Sequence, residues 1–141
     1  MRAVALFTAI ITWVTAVQGS VPIIVNTPAH QRAVMKLCSD ASDQLRNGDI
    51  AGAKRNVDAA LRIEPKLWPA LYVRAQIFRR QGKYELAIQD CNEALRQYPG
   101  FVEAALLRAS IYVRLGKYAE ASRSLIISSR YTLAALPLPG C

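Results

Sequence analysis

Three cysteines, a single histidine and ten carboxylates are the side chains of this 141-residue chain with the chemistry of a nucleophile, a general base or a metal ligand. Their spacing assembles none of these. Cys38, Cys91 and Cys141 form no Cys-x-x-Cys pair, and His30 has no second histidine to work with, so neither a zinc cluster nor a nucleophile with a histidine base is supported. The glycines are isolated, which excludes a phosphate-cradling loop. Asp40 with Asp43, and Asp90 with Glu93, fall three apart among basic neighbours and read as solvated surface pairs. No catalytic residue, metal or cofactor is expected, and an enzyme is disfavoured. Cys38 and Cys91 read as small packing residues, and Cys141, beyond Pro137, Pro139 and Gly140, as a thiol available for an intermolecular bridge.

What recurs is cationic. Arg46, Arg80 and Arg114 are spaced thirty-four residues apart, each two residues before a glycine, and Arg62, Arg96 and Arg130 form a second series with the same period. A row of guanidiniums suits an acidic segment or a phosphate backbone. Equally, a cation in the last turn of a helix opposes the negative end of the helix dipole, an effect of about 0.3 to 1 kcal/mol.

The elements that carry these arginines are announced by a repeat. RAQIFRRQGKYELA, from Arg74 to Ala87, is written again as RASIYVRLGKYAEA, from Arg108 to Ala121, with eight of fourteen positions identical. A fixed period of this size marks stacked supersecondary units, none able to bury its apolar face alone. Stepping by thirty-four gives blocks 34–67, 68–101 and 102–135. Ala41, Gly48, Ala53, Ala60, Leu61 and Pro65 fall in register with Ala75, Gly82, Ala87, Ala94, Leu95 and Pro99; Ala109, Gly116 and Ala121 continue the series before it drifts. The alanines let two helices approach closely, the glycines permit a left-handed turn, and the prolines stop the next helix from running on. Within a block the apolar residues keep helical spacing, as in Tyr84, Ala87, Ile88, Cys91, Ala94, Leu95 and Tyr98. Each block therefore predicts two amphipathic helices joined at its glycine, six in all.

These motifs resemble the tetratricopeptide repeat (TPR) family, most closely in block 68–101, with Gly82-x-Tyr84 and Gly116-x-Tyr118 as its hallmarks. Ile50 replaces the tyrosine in the first block, and Ser128, Ser129 and Leu133 stand in for Ala94, Leu95 and Pro99 in the third. The resemblance implies an all-α superhelix, a solenoid of three helix-turn-helix repeats, whose first helices line a concave groove for peptide segments. Carried over position by position, it puts Cys38, Ser39 and Ser42 in that groove with Tyr72, Val73, Gln76 and Arg79, then Glu103, Leu106, Leu107 and Ser110; Arg80 and Arg114 stand at its edge. A chaperone-binding subset of the family clamps a terminal carboxylate with lysine, asparagine and arginine. The corresponding positions here are Cys38, Ser42, Val73, Glu103 and Leu107, so the clamp is not expected, and the groove is read as apolar, centred on Tyr72, Val73, Leu106 and Leu107.

Composition and the N-terminus set the remaining expectations. At 52% hydrophobic residues a chain of this length can bury one core. The formal charge of +8 is spread without a lysine or arginine block, which favours acidic partners over nucleic acid. Arg2 precedes an uncharged run from Ala3 to Val17 and small residues through Gly19, the pattern of an export signal covering residues 1–19. An uncleaved membrane anchor is the alternative. Residues 20–33 read as a lead-in, with Thr27 before Pro28 as a helix start, and 136–141 as a tail. Ser122, Ser124, Ser128 and Ser129 are expected on the outer face of the last helix, where Ile126, Ile127, Leu133 and Leu136 leave apolar surface; self-association there, a partner, or a return of the tail would cover it. The resulting expectation is an exported scaffold, periplasmic or secreted, that binds a protein or peptide segment of apolar or acidic character. Its rival is a cytoplasmic nucleic-acid-binding solenoid that uses the arginine series.

Overall fold

The computed structural model describes residues 27–134. The segment read as an export signal, the first part of the lead-in, and the tail with Leu136 and Cys141 lie outside the described residues. The chain divides after His30. In the first unit the Thr27 hydroxyl accepts a hydrogen bond from the His30 amide at 3.2 Å, and Pro28 opens the helix.

The second unit, from Gln31 onward, is helical. The elements are α1 (Pro28–Arg46, which begins in the first unit), α2 (Ile50–Ile63), α3 (Trp68–Arg80), α4 (Tyr84–Gln97), α5 (Val102–Arg114) and α6 (Tyr118–Ala134). They pair as α1 with α2, α3 with α4 and α5 with α6, and the pairs stack in chain order as an all-α superhelix. Among the described residues there is no strand, and no helix is long and apolar enough to cross a membrane.

The joints inside the pairs are copies of one another. Gly48, Gly82 and Gly116 have φ of 86°, 75° and 72°, the left-handed region that a side chain rarely adopts. After Gly82 the Lys83 amide donates back to the Phe78 carbonyl at 2.9 Å, while the Gly82 amide donates to Arg79 at 3.1 Å; the same two bonds close the turns at Gly48 and Gly116. Two carbonyls that the helix end leaves without partners are thereby satisfied. Asp49 adds a side-chain cap to α2, accepting from the Gly52 amide at 2.8 Å. The joints between pairs contain Pro65 and Pro99, just past the ends of α2 and α4.

Alanine sets the distance between helices. Ala41, Ala53, Ala75 and Ala87 are fully buried, and Ala109 and Ala121 nearly so. Around these contacts pack Val34, Leu45, Val57, Ile77 and Ile111, each a large side chain removed from water and worth about 1.5 to 3 kcal/mol. Cys38 and Cys91 are free and buried among them.

Two expectations are corrected. Asp90 is no solvated surface carboxylate: it is 7% exposed and accepts from Arg74 Nε and Nη2 at 2.7 Å each, tying α3 to α4. Asp40, Asp43 and Glu93 do form local pairs near the surface, with Lys36, Arg46 and Arg96. Ser124 and Ser128, expected on the outer face of α6, are buried, because they hold the places that Asp90 and Ala94 hold in α4. Ile126, Ile127 and Leu133 are exposed as expected.

Gly82→Ala is expected to lower unfolding free energy by about 1 to 2 kcal/mol, measured by urea titration. Gly100→Ala, whose added carbon would come no nearer than 3.6 Å to its closest neighbour, the Tyr98 side chain, should stay within about 0.5 kcal/mol of wild type. Burial pushes the Cys38 thiol up to about 11, with Glu64 adding to the rise, and the Cys91 thiol up to about 12. Unfolded thiols ionise near 9.0, so the stability owed to keeping these groups neutral is complete below that pH and is lost as pH climbs toward the folded values. The gap in urea midpoint between wild type and Cys91→Ala should therefore narrow from about pH 8 to about pH 10.5.

Candidate functional site: a groove along the first helices

The first helix of each pair faces the same side, so α1, α3 and α5 form one wall. Two hollows lie on it, and Tyr72 borders both. The first, about 210 Å³, is lined by Met35, Cys38, Ser39 and Ser42 of α1, by Trp68, Pro69, Tyr72 and Val73 of α3, and by Phe101 at the head of α5. The second, about 340 Å³, lies between Tyr72, Gln76 and Arg79 of α3 and Glu103, Leu106, Leu107 and Ser110 of α5.

The two differ in chemistry. The first is walled by an aromatic lattice: Trp68 meets Phe101 edge-on at 4.7 Å, Tyr72 meets Phe101 at 4.9 Å, and Trp68 tilts against Tyr98 at 5.3 Å between ring centroids. Such rings form a stiff apolar surface with few rotatable bonds to freeze on binding. The second hollow is mixed. Leu106 is half exposed, while Arg79 holds its Nε buried with no hydrogen-bond partner. Burial pushes the Tyr72 phenol above its ordinary range, Glu103 adding to the rise and Gln76 and Arg79 opposing it. The phenol thus remains a hydrogen-bond donor at neutral pH.

Every groove residue expected from the sequence can be located. Tyr72, Gln76, Arg79, Leu106, Leu107 and Ser110 come together in the second hollow. Val73 floors the first. Val73 and Leu107 are nearly buried, at 3% and 8% exposure, so the groove presents Tyr72 and Leu106 far more than it presents them. Arg80 and Arg114 border neither hollow; like Arg46, each is the last residue of its helix and exposed. That placement fits a cation opposing a helix dipole. Arg62 and Arg96 likewise occupy the last turns of α2 and α4. Trp68, Phe101 and Met35 were missed. The signal was present, since Trp68 and Tyr72 are four apart on one helix face and Phe101 stands at the next helix start, but it fell outside the motif positions. Among the described residues, no group of three or more histidine, cysteine, aspartate or glutamate side chains is placed to hold a metal ion.

Comparison with known proteins places this architecture. Two tetratricopeptide repeat models match, over residues 40–100 and 78–126. No curated protein sequence matches the chain significantly. Among solved structures, the second TPR domain of Spaghetti (RPAP3), determined bound to an HSP90 peptide, is similar with a TM-score of 0.64 at 19% identity, over 72% of this chain and 96% of that one. The TPR2B domain of yeast Sti1, in a pHsp70 complex, gives 0.67 at 19% identity over 74% and 83%. The Yersinia enterocolitica type III secretion translocator chaperone SycD gives 0.66 at 20% over 75% and 80%. An O-GlcNAc transferase mutant from Thermobaculum terrenum reaches 0.67 at 24%, but this chain covers only 20% of it. With two overlapping repeat models, three pairs of helices bent at equivalent glycines and neighbours that share the fold, the chain belongs to the tetratricopeptide repeat family.

Proposed function

We propose that this protein is a scaffold that holds an extended segment of a partner protein along the wall of first helices. The observation that carries the proposal is the continuity of the two hollows through Tyr72. An apolar side chain of the segment enters the aromatic hollow beside Trp68, Tyr72 and Phe101. Farther along, a carbonyl or carboxylate of the same segment accepts from the Arg79 guanidinium, whose buried Nε has no hydrogen-bond partner among the described residues. One structural neighbour was determined with an HSP90 peptide and another in a pHsp70 complex, which supports a protein segment as the ligand class. The groove here differs from a terminal-carboxylate clamp: it has one guanidinium, a carboxylate at Glu103, and aromatic rings.

Export remains part of the proposal, resting on Arg2, the uncharged run to Val17 and the small residues before Ser20. Self-association through the end of α6 is supported by a hollow of about 400 Å³ walled by Val102, Leu106, Leu125 and Leu133; light scattering reads it directly.

Screened against an array of peptides that pair an apolar residue with an acidic one, wild type should select a subset, and Tyr72→Ala and Leu106→Glu should each weaken that binding by about tenfold or more, or at least about 1.4 kcal/mol. Leu106 is half exposed, so Leu106→Glu should barely move the melting temperature; Tyr72→Ala also removes a ring packed on Phe101 and should lower it while leaving the protein folded. Unchanged peptide affinity in both variants would remove the groove assignment. Mass spectrometry of the native protein should find an N-terminus at Ser20; an intact Met1 start in the mature protein would end the cleaved-signal reading.

A further inference from the structure

The repeat lets the second helix pair serve as a control for the third, and away from the groove the third lacks acids that the second carries. In the second repeat the Arg74 guanidinium lies across two carboxylate oxygens of Asp90. Its pKa is raised, chiefly by that hydrogen bond and also by the charges of Asp90 and Asp58. Thirty-four residues on, Arg108 takes the place of Arg74, Asn92 that of Asp58 and Ser124 that of Asp90. The Nε bond is retained, donated to Ser124 Oγ at 3.0 Å, while the second bond passes from the acid's position to Asn92, whose Oδ1 accepts from Arg108 Nη1 at 2.6 Å. Both counter-charges are gone. Arg108 is partly buried and forms no ion pair within the described chain, so an anion reaching it would meet a guanidinium with no carboxylate already in place.

Beside this guanidinium is a hollow of about 510 Å³ between α4, α5 and α6, within the range of small-molecule sites. Arg96 stands at its rim, and Leu95, Ile127 and Tyr131 give it an apolar wall. The equivalent hollow one repeat earlier carries its own carboxylates, Asp90 and Glu93; their counterparts here are Ser124 and Ile127. A separate observation points the same way. Ser128, where the second repeat has Ala94, lies between this hollow and the one beside Leu125 and lines both, is 5% exposed and has an Oγ with no hydrogen-bond partner among the described residues.

We propose that this hollow binds a small-molecule carboxylate carried on a compact apolar body. The carboxylate takes beside Arg108 the role that Asp90 plays beside Arg74, with Arg96 and the Ser128 hydroxyl as further donors, and the body lies against Leu95, Ile127 and Tyr131. The site is independent of the peptide groove, which is lined by other residues.

Phenylbutyrate is the probe, with phenylbutanol as its uncharged counterpart, inorganic phosphate as a bare anion and a phenylalanine-glutamate dipeptide amide as a stand-in for a protein segment. Titration calorimetry and the Arg108 Nε–H resonance of the isotope-labelled full chain read binding. Phenylbutyrate is expected to bind saturably and shift that resonance, with phenylbutanol and phosphate weaker by about tenfold or more, the equivalent of about 1.4 kcal/mol. Ser124→Asp rebuilds the pair seen in the second repeat, so it should fold, melt higher than wild type and lose about tenfold or more in phenylbutyrate affinity, whereas Ser124→Asn should keep binding. Tyr72→Ala should leave it unchanged. No saturable binding, equal binding of the alcohol or of phosphate, undiminished binding by a folded Ser124→Asp variant, or tighter binding of the dipeptide would each overturn the assignment.

Discussion

Close approach of two helices at alanine is the contact on which the rest of the molecule depends. Fourteen-residue helices such as α2 and α4 are marginal alone in water, and they persist here because each lays an apolar stripe on its neighbours. Each pair carries one such alanine on each helix, Ala41 and Ala53, Ala75 and Ala87, and Ala109 and Ala121, all buried. A larger residue would push the backbones apart and open voids around Leu45, Ile77 and Ile111, which fill the space on either side. The left-handed glycines serve the same contact by turning the second helix back along the first within a few residues.

Once the pairs are fixed, stacking decides what is left exposed. The first helices share one wall and the second helices the other, so residues at the same repeat position line up across the molecule. On the groove side this brings Tyr72 into both hollows and sets Gln76 and Arg79 opposite Leu106 and Ser110. On the opposite side it produces a seam of arginines, Arg74 and Arg108, each reaching from a first helix to the second helix of its own pair. The same scaffold thus yields a neutralised cation in one repeat and an uncompensated one in the next, by exchange of two acids for Asn92 and Ser124. Repeats diverge most cheaply in such places, because the backbone and the alanine contacts do not change.

Binding by such a wall needs little rearrangement. The aromatic lattice of Trp68, Tyr72, Tyr98 and Phe101 is already packed on itself, so an incoming side chain meets a formed surface and ordering costs less of the interaction energy. In the proposed complex Arg79 would contribute specificity, because a segment that brings an acceptor to its guanidinium gains a charge-assisted hydrogen bond that other segments lack.

How much of this was legible beforehand follows from which forces are local. The period of thirty-four, the six helices and the glycine joints were readable from residue type and spacing, because helical periodicity, the steric freedom of glycine and the rigidity of proline act within a few residues of the chain; the wall of first helices followed only from the family resemblance. The identity of the groove's side chains was readable only to the level of repeat position. Val73 and Leu107 were placed on the right helices, yet whether a residue on that face meets ligand or neighbour depends on how deeply the next pair seats. Asp90 and Ser124 were misread for the same reason. A carboxylate three residues from another looks solvated until a guanidinium sixteen residues away is folded onto it, and a serine looks like surface until it proves to occupy an aspartate's place. The chain by itself determined the repeating unit; tertiary packing alone decided burial, charge pairing and the shape of the two faces, since these depend on contacts between residues that local sequence does not bring together.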